Sequence, residues 1–247
     1  MHDMTLSPAV LDALPGVAAG FSLRTGGVSP EPYGSLNLGR STADDPANVD
    51  ENRRRFFGAL GFDEAEVAVA GQVHSARVQT VNAPGLHRET DGLVTDTPGL
   101  LLAISAADCA AVLLADAEAR VVGACHAGWR GCVGGIVAET IGQMRALGAD
   151  PARMRAFVSP CISAAVFEVG AEVAERFDAA FVARQPDGKA RVDLKGQIRA
   201  QLLGAGLHAA HVEVSDGCTM SEPSRFFSHR ASGGTTGRMM GAIGLVA

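Results

Sequence analysis

The hydrophobic and polar positions of this chain fall into short apolar runs and into longer stretches with helical periodicity. Eight apolar runs have the length of buried strands: 67–70, 78–81, 100–104, 110–114, 121–125, 156–158, 212–214 and 240–246. The polar segment 116–120 joins two of these runs, which predicts a hairpin over 110–125. Residues 1–20 are weakly patterned, and we expect an entry strand or loop there.

Apolar residues recur every three or four positions in the stretches that predict helices. These stretches are 46–61, 136–147, 173–181 and 194–202. Asp45 is a suitable N-cap for the first of them, and Pro46 favours its first helical position. Gly61 is a natural stop for that helix, and Asp193 is the expected cap of the last one.

Hairpins interrupt the alternation of strands and helices, so the pattern favours an α+β fold with a mixed sheet. The 247 residues contain no internal repeat and no Pro/Ser-rich linker. One compact domain over 1–247 is therefore expected.

Composition and charge exclude several classes of protein. Apolar residues make up 47% and charged residues 19%, which is typical of a globular chain, and the net charge is −6. Nucleic-acid binding is not expected, because it needs clustered basic residues. The densest basic run, 53–55, is expected on a solvated helix face.

The location and assembly of the chain are predicted from absences in the sequence. Its longest apolar run, near 100–114, is interrupted by Asp108, so no membrane span is expected. Five cysteines without a CxxC pair, and no secretory leader, indicate reduced thiols in the cytoplasm. No coiled coil or exposed apolar array is apparent, so a monomer is expected.

Three residues at glycine-rich or polar junctions stand out: His74, Cys109 and His126. Two imidazoles and a thiolate can bind zinc and leave a fourth position for water or substrate. Alternatively, Cys109 is a nucleophile and His126 its base. The residues alone favour a third interpretation, in which all three are inert buried groups. His229 lies in a similar junction.

Four arginines lie in glycine-rich surroundings that resemble anion-binding loops: Arg24, Arg130, Arg230 and Arg238. Guanidinium groups and free backbone N–H groups bind phosphate or carboxylate well. Ordinary turns with solvated arginines explain any one of these segments equally well.

A set of segments in fixed order resembles the bacterial YfiH-like family, also called laccase-domain or multicopper polyphenol oxidoreductase proteins. The segments are 23–29, 35–39, 72–74, 91–95, 107–109, 126–131, 167–170, 218–219, 226–230 and 236–238. The sequence His-Ala-Gly-Trp-Arg-Gly at 126–131 is the most specific of them. The resemblance implies a four-layer α/β/β/α sandwich related to cysteine hydrolases.

The resemblance also implies an activity. Family members are described as purine nucleoside phosphorylases with adenosine deaminase activity, acting on adenosine, inosine, guanosine or methylthioadenosine. The family's zinc ligands fall on His74, Cys109 and His126, which overturns the inert interpretation. A His₂Cys site also accepts copper. Seven histidines cannot supply the further copper cluster of a multicopper oxidase, so one metal ion is expected.

Further roles are predicted for residues around the expected metal site. Asp108 and Glu168 are candidates for moving protons during deamination. The expected substrate- or phosphate-binding residues are Arg24, Asn37, Arg130, Glu168, Ser228 and Arg230. If 108–109 is extended, however, the side chains of Asp108 and Cys109 point to opposite faces.

Two positions depart from the family pattern, and two other functions remain open. Phe167 stands where the family often has tyrosine, and Ala231 where a second arginine often follows Arg230. The main alternative is an enzyme that edits peptidoglycan precursors, with Cys109 and His126 as a hydrolase pair. A non-catalytic protein that binds a metal or nucleotide is the other.

Overall fold

The computed structural model describes residues 4–247, which contain fifteen strands and six α-helices. The strands are β1 (Thr5–Leu6), β2 (Val17–Ser22), β3 (Val67–Gly71), β4 (Val78–Thr80), β5 (Gly85–Arg88), β6 (Gly92–Thr95), β7 (Leu101–Ala106), β8 (Ala110–Asp116), β9 (Val121–Ala127), β10 (Arg155–Val158), β11 (Glu168–Val169), β12 (Val182–Arg184), β13 (Ala190–Val192), β14 (Val212–Val214) and β15 (Met239–Leu245). The helices are α1 (Ala9–Asp12), α2 (Pro46–Ala59), α3 (Trp129–Val133), α4 (Ile136–Ala146), α5 (Ala171–Ala174) and α6 (Leu194–Gly204). Short 3₁₀ helices span Glu64–Glu66, Ala179–Phe181 and Ala209–His211.

Two six-stranded sheets form the centre of the molecule. The first has the order β1-β2-β15-β7-β3-β5 and the second the order β14-β10-β8-β9-β6-β4. Both are mixed: β3 runs parallel to β7 and β5, whereas β15 runs antiparallel to its neighbours β2 and β7. A small antiparallel sheet, β11-β13-β12, completes the set. The α+β class with mixed sheets is thus confirmed.

Three apolar cores separate these layers. One contains residues from both large sheets, such as Ile104 of β7 and Leu113 of β8, so the sheets pack face to face. A second joins the first sheet to Phe56 and Phe57 of α2. The third joins the second sheet to α4 and α6. Helices therefore pack against each of the two large sheets.

The predicted hairpin is present and carries part of the candidate site. Strands β8 and β9 pair antiparallel from Ala110–Ala127 to Asp116–Val121, with Ala111 opposite His126. Every residue of both strands is buried, which explains their continuous apolar pattern. Helix α3 begins at Trp129, two residues after the end of β9.

Helix α2 confirms the sequence signals at its ends. The Asp45 side chain accepts a hydrogen bond from the Ala47 amide, Pro46 is the first helical residue, and Gly61 follows the helix with a φ of +85°. The prediction that 53–55 forms a solvated face is wrong for Arg53, whose side chain is only 5% exposed. Its neighbours Arg54 and Arg55 do reach Glu51 near the surface.

The continuous helix predicted over 173–181 is wrong. Helix α5 ends at Ala174, and a separate 3₁₀ turn begins after Asp178, whose side chain accepts from the Ala180 amide. The four-residue spacing of Val173, Phe177 and Phe181 therefore arises from two short turns. Asp178 starts the second turn because its carboxylate competes for the backbone donors there.

Within residues 4–247, none of the helices has the length and apolar character needed to cross a membrane. All five cysteines have free thiols, and Cys125, Cys132, Cys161 and Cys218 are buried. Cys109 is the exception, since it is partly exposed.

Candidate metal and substrate site

A cavity of about 1030 Å³ opens where the C-terminal ends of β3, β7 and β9 meet. His74, Cys109 and His126 line one part of it. They come from three separate segments: the loop after β3, the turn between β7 and β8, and the end of β9. The fold thus brings together the three predicted metal ligands, which sequence spacing alone could not do.

Asp91 organises the two histidines. Its Oδ1 accepts from His126 Nδ1 at 2.9 Å and from the His74 amide at 3.0 Å. Its Oδ2 accepts from the Val73 amide and from both the amide and hydroxyl of Ser75. This fully buried carboxylate therefore fixes the ring of His126 and the loop that carries His74.

The site perturbs the pKa of each of these groups. Burial raises the pKa of Asp91, but the hydrogen bonds from His126, Ser75 and Val73 outweigh it and hold that pKa well below its ordinary value. Burial opposes protonation of His126, yet Cys109 and Asp91 raise its pKa to about 9. Burial and then the nearby charge of His126 lower the pKa of His74, which favours a neutral imidazole.

Cys109 lies on the other side of His126 from Asp91. It hydrogen-bonds His126, and its Sγ packs so closely on Gly128 that a Cβ added there would lie 2.7 Å from the sulfur. Because Asp91 holds Nδ1, the imidazole presents Nε2 to the side of Cys109.

The condition under which the side chains of Asp108 and Cys109 would point to opposite faces is not met, and both residues line the cavity. Residue 108 is not extended; its φ is +81°, which lies in the left-handed region. The Asp108 carboxylate accepts from Thr219 Oγ1 at 2.7 Å and from the Arg230 amide at 2.6 Å. His74 also has a positive φ, +60°, and such strained non-glycine residues often occur at functional sites.

One group of possible ligand atoms is compact enough to hold a metal ion. Within residues 4–247, the ligand atoms of His74, Asp91 and His126 all lie within 4.8 Å of one another; Cys109 is outside this group but hydrogen-bonds His126. Five hydrogen bonds already occupy the Asp91 oxygens, so we assign Asp91 the role of a partner that orients the ligands. The remaining donors, two imidazoles and one thiol, suit zinc or copper.

Five of the six predicted substrate residues lie outside the cavity lining, and Arg24, Asn37 and Arg130 are three of them. Arg24 borders a separate cleft, where its guanidinium donates to the carbonyls of Gly34 and Pro223. Asn37 is buried, and its Oδ1 accepts from the amide of Arg238. The Arg130 guanidinium stacks on the Trp129 ring at 4.4 Å from its centroid.

Arg230 is the one predicted substrate residue that lines the cavity, and it donates from Nη1 to the Glu168 carbonyl at 3.0 Å. The Glu168 carboxylate pairs with Lys189 at 2.5 Å. The Ser228 hydroxyl accepts from the Ala231 amide and so supports the turn that carries Arg230.

The predicted set of catalytic and binding residues did not include several residues that the structure places at the site. Asp91 gave no sequence signal beyond its place in the family-like segment 91–95. Arg53, His229 and Arg238 also line the cavity. The glycine-rich surroundings pointed to Arg238, and the junction pointed to His229, but Arg53 was hidden within a basic run on a helix.

Known proteins match this chain over most of its length. The family model described as multi-copper polyphenol oxidoreductase laccase matches residues 18–246. The chain belongs to this laccase-domain family. A protein of Deinococcus radiodurans named purine nucleoside phosphorylase is 47% identical over 228 residues, covering 91% of this chain and 88% of that protein. A Streptomyces griseus protein named purine nucleoside phosphorylase ORF3 is 41% identical over 232 residues, covering 91% and 93%.

Solved structures of the laccase-domain family share the whole fold. YlmD from Geobacillus stearothermophilus superposes with a TM-score of 0.88 at 32% identity, covering 99% of this chain and 100% of that one. The Neisseria meningitidis protein NMB0706 gives 0.88 at 35% identity, with the same coverage. The similarity extends from the first sheet through the C-terminal strand, so it includes every segment of the candidate site.

Proposed function

We propose that this laccase-domain protein is a metal-dependent purine nucleoside phosphorylase that also deaminates adenosine. The observation that carries the proposal is the convergence of His74, Cys109 and His126 on one large cavity. The names of the similar Deinococcus and Streptomyces proteins support the substrate class. Adenosine, inosine, guanosine and methylthioadenosine are the proposed substrates.

Zinc is the proposed metal, because two imidazoles and a thiolate are a typical catalytic zinc set. When bound, zinc supplies a Lewis acid that lowers the pKa of a coordinated water. Asp91 keeps His126 Nε2 available as a ligand atom by holding Nδ1. The lowered pKa of His74 keeps its ring neutral for the same purpose.

The cavity walls suit a purine nucleoside. Trp129, Ile162 and Phe167 give apolar surface on which a purine ring can pack. Asp108 lines the same cavity, and its carboxylate can hold a proton for the purine during deamination. Arg230, over the Phe167 ring, is the proposed contact for an anionic or hydroxyl group of the substrate.

Phosphorolysis brings phosphate to C1′ of the ribose. A phosphate oxygen forms a bond to C1′ while the bond between C1′ and N9 breaks. The electron pair of the broken bond stays on the purine, which also takes up a proton. Four arginines and two carboxylates line the cavity, so it carries an excess of positive charge that attracts phosphate.

The experiment is a product assay on purified protein with measured metal content. Adenosine is incubated with and without phosphate, and the products are separated by chromatography. We expect adenine only with phosphate, inosine without it, and about one zinc per chain. Unchanged adenosine with fully loaded protein would contradict the proposal.

One observation favours a second candidate, a thiol hydrolase acting on peptidoglycan precursors. Asp91, His126 and Cys109 follow one another as orienting acid, base and nucleophile. The two candidates respond differently to reagents. A hydrolase keeps its activity after metal removal and loses it to a thiol alkylator, whereas the phosphorylase loses activity when the metal is removed.

A non-catalytic binding protein is the remaining alternative. Tight binding of nucleoside or metal, without turnover of the nucleoside or of the peptidoglycan precursor, would indicate it.

A further inference from the structure

Arg53 is a buried cation that lines the cavity. It projects from α2, and its side chain is 5% exposed. Its Nη2 lies 4.0 Å from the sulfur of Met240, a residue of β15 that pairs with Ser105 of β7. Strand β7 continues to Asp108 and Cys109, so the same wall of the cavity connects Arg53 to the metal-binding end.

The donors of Arg53 are poorly satisfied for a buried guanidinium. Nη1 is 3.3 Å from Glu64 Oε1, Nη2 has only the weak sulfur contact, and Nε is enclosed with no acceptor. A guanidinium has five N–H groups, and each buried donor without an acceptor is costly. Burial lowers the pKa of Arg53 to about 10, which leaves it charged at neutral pH. A structural role alone does not explain why this cation borders an open cavity.

The surroundings of Arg53 provide further donors. Arg40, Ser41 and Arg238 line the same cavity, and the Gly39 turn packs directly on the Arg238 side chain. Arg40 binds Glu64 and Asp50, both at 2.8 Å, and the charge of Asp108 acts on Arg238. Over the whole cavity lining, four arginines face two carboxylates, Glu64 and Asp108, and the hydroxyl of Ser41 adds a further donor.

We propose that Arg53, Arg238 and Ser41 form a binding site for a tetrahedral phosphate oxyanion at this end of the cavity. The inference rests on the proposed function, because the phosphate would be the co-substrate that attacks the ribose. Phosphate binding is thereby assigned to arginines that line the cavity, and not to Arg24 and Arg130, which lie outside it. The phosphoryl group of a nucleotide has the same chemistry as inorganic phosphate, and the experiment below distinguishes these two ligands.

The test measures thermal stabilisation of the metal-loaded protein by inorganic phosphate alone, by adenosine alone and by adenosine 5′-monophosphate. The variants are Arg53→Lys, which keeps a charge for Glu64 but removes the forked donors, and Arg53→Met. Arg54→Met is the matched control, because Arg54 is on the same helix and contacts only Glu51 at the surface. The phosphate KM is measured in parallel with the adenosine KM.

We expect inorganic phosphate to raise the melting temperature of wild type and Arg54→Met but not of Arg53→Met. The phosphate KM should rise about tenfold or more in both Arg53 variants, since each loses charge-assisted hydrogen bonds, while the adenosine KM changes little. Stabilisation by the nucleotide but not by inorganic phosphate would assign the site to a nucleotide's phosphoryl group.

The proposal is wrong if phosphate stabilises the Arg53 variants as it does wild type and their phosphate KM is unchanged. Failure of the proposed function has a different result: no phosphorolysis by wild type, with phosphate stabilisation still dependent on Arg53. If Arg53→Met does not fold, Arg53→Lys decides the outcome, because it keeps a charge beside Glu64 and leaves α2 its apolar face.

Discussion

Asp91 holds the histidines of the candidate site in place, although it does not line the cavity itself. It collects hydrogen bonds from His126 and from three consecutive backbone amides around His74. Each backbone amide of residues 73–75 donates one of these bonds, so a displacement of this loop would break at least one of them. The position of both imidazoles therefore depends on a single buried carboxylate.

Asp91→Asn should lower metal affinity by about 10- to 100-fold, as is typical when a partner that orients a ligand is lost. An amide cannot accept from His126 and from all three backbone donors at once. Titration of metal-loaded protein with a graded chelator measures the effect. Ser75→Ala is the control, since it removes one contact and leaves the carboxylate. Equal metal affinity in Asp91→Asn and wild type would contradict the assigned role.

Gly128 keeps open the space that the Cys109 sulfur occupies. Its φ is −71°, so alanine is acceptable for the backbone, but a Cβ would lie 2.7 Å from Sγ. Gly128→Ala should therefore displace the sulfur and reduce metal content and turnover together. Gly142→Ala in α4 meets no atom within 4 Å and should stabilise the protein by about 0.5–1 kcal/mol. Full metal content in Gly128→Ala would show that Cys109 is not a ligand.

Among the elements, those with a strong period or a clear cap were predictable. The β8–β9 hairpin and helix α2 follow from continuous apolar runs and from Asp45-Pro46. Strand β5 was missed because it lies at a sheet edge, where three of its four residues are exposed. The segment 173–181 was misassigned because its apolar spacing suits a helix, whereas Asp178 starts a new turn.

The candidate site was only partly predictable for a related reason. Metal ligands lie at strand ends that the sequence marks with glycine or polar residues, but the contact between those ends depends on sheet order. Asp91 and Arg53 are buried polar groups whose partners are distant in sequence. No local pattern distinguishes such a residue from a solvated one.

The N-terminus of α2 allows a direct test of element stability, because this helix carries Arg53. Asp45→Ala removes the acceptor for the Ala47 amide and should cost about 1 kcal/mol of unfolding free energy. Asp45→Asn retains a capping oxygen and should cost much less. Urea denaturation measures both. Equal stability of wild type and Asp45→Ala would show that the cap contributes nothing.

At the scale of the whole molecule, the metal site couples stability to pH. In metal-free protein the pKa of His126 is raised from 6.5 to about 9. The stabilisation from its protonated form is complete below the unfolded pKa and is lost as the pH rises through about 9. Metal-free protein should therefore lose stability between pH 7 and about 9, whereas a metal on Nε2 removes this proton and its pH dependence.

The difference in melting temperature between metal-loaded and metal-free protein should consequently grow as the pH rises from about 6 to about 9. Proton competition for His126 weakens metal binding at the acid end, which acts in the same direction. Thermal unfolding across that range, with and without zinc, measures the difference. Metal-free His126→Asn is the control, because it lacks the titrating ring and should show a flatter profile. Parallel profiles for loaded and metal-free wild type would mean that the ion does not bind through His126, and the metal ligands would have to be sought elsewhere in the cavity.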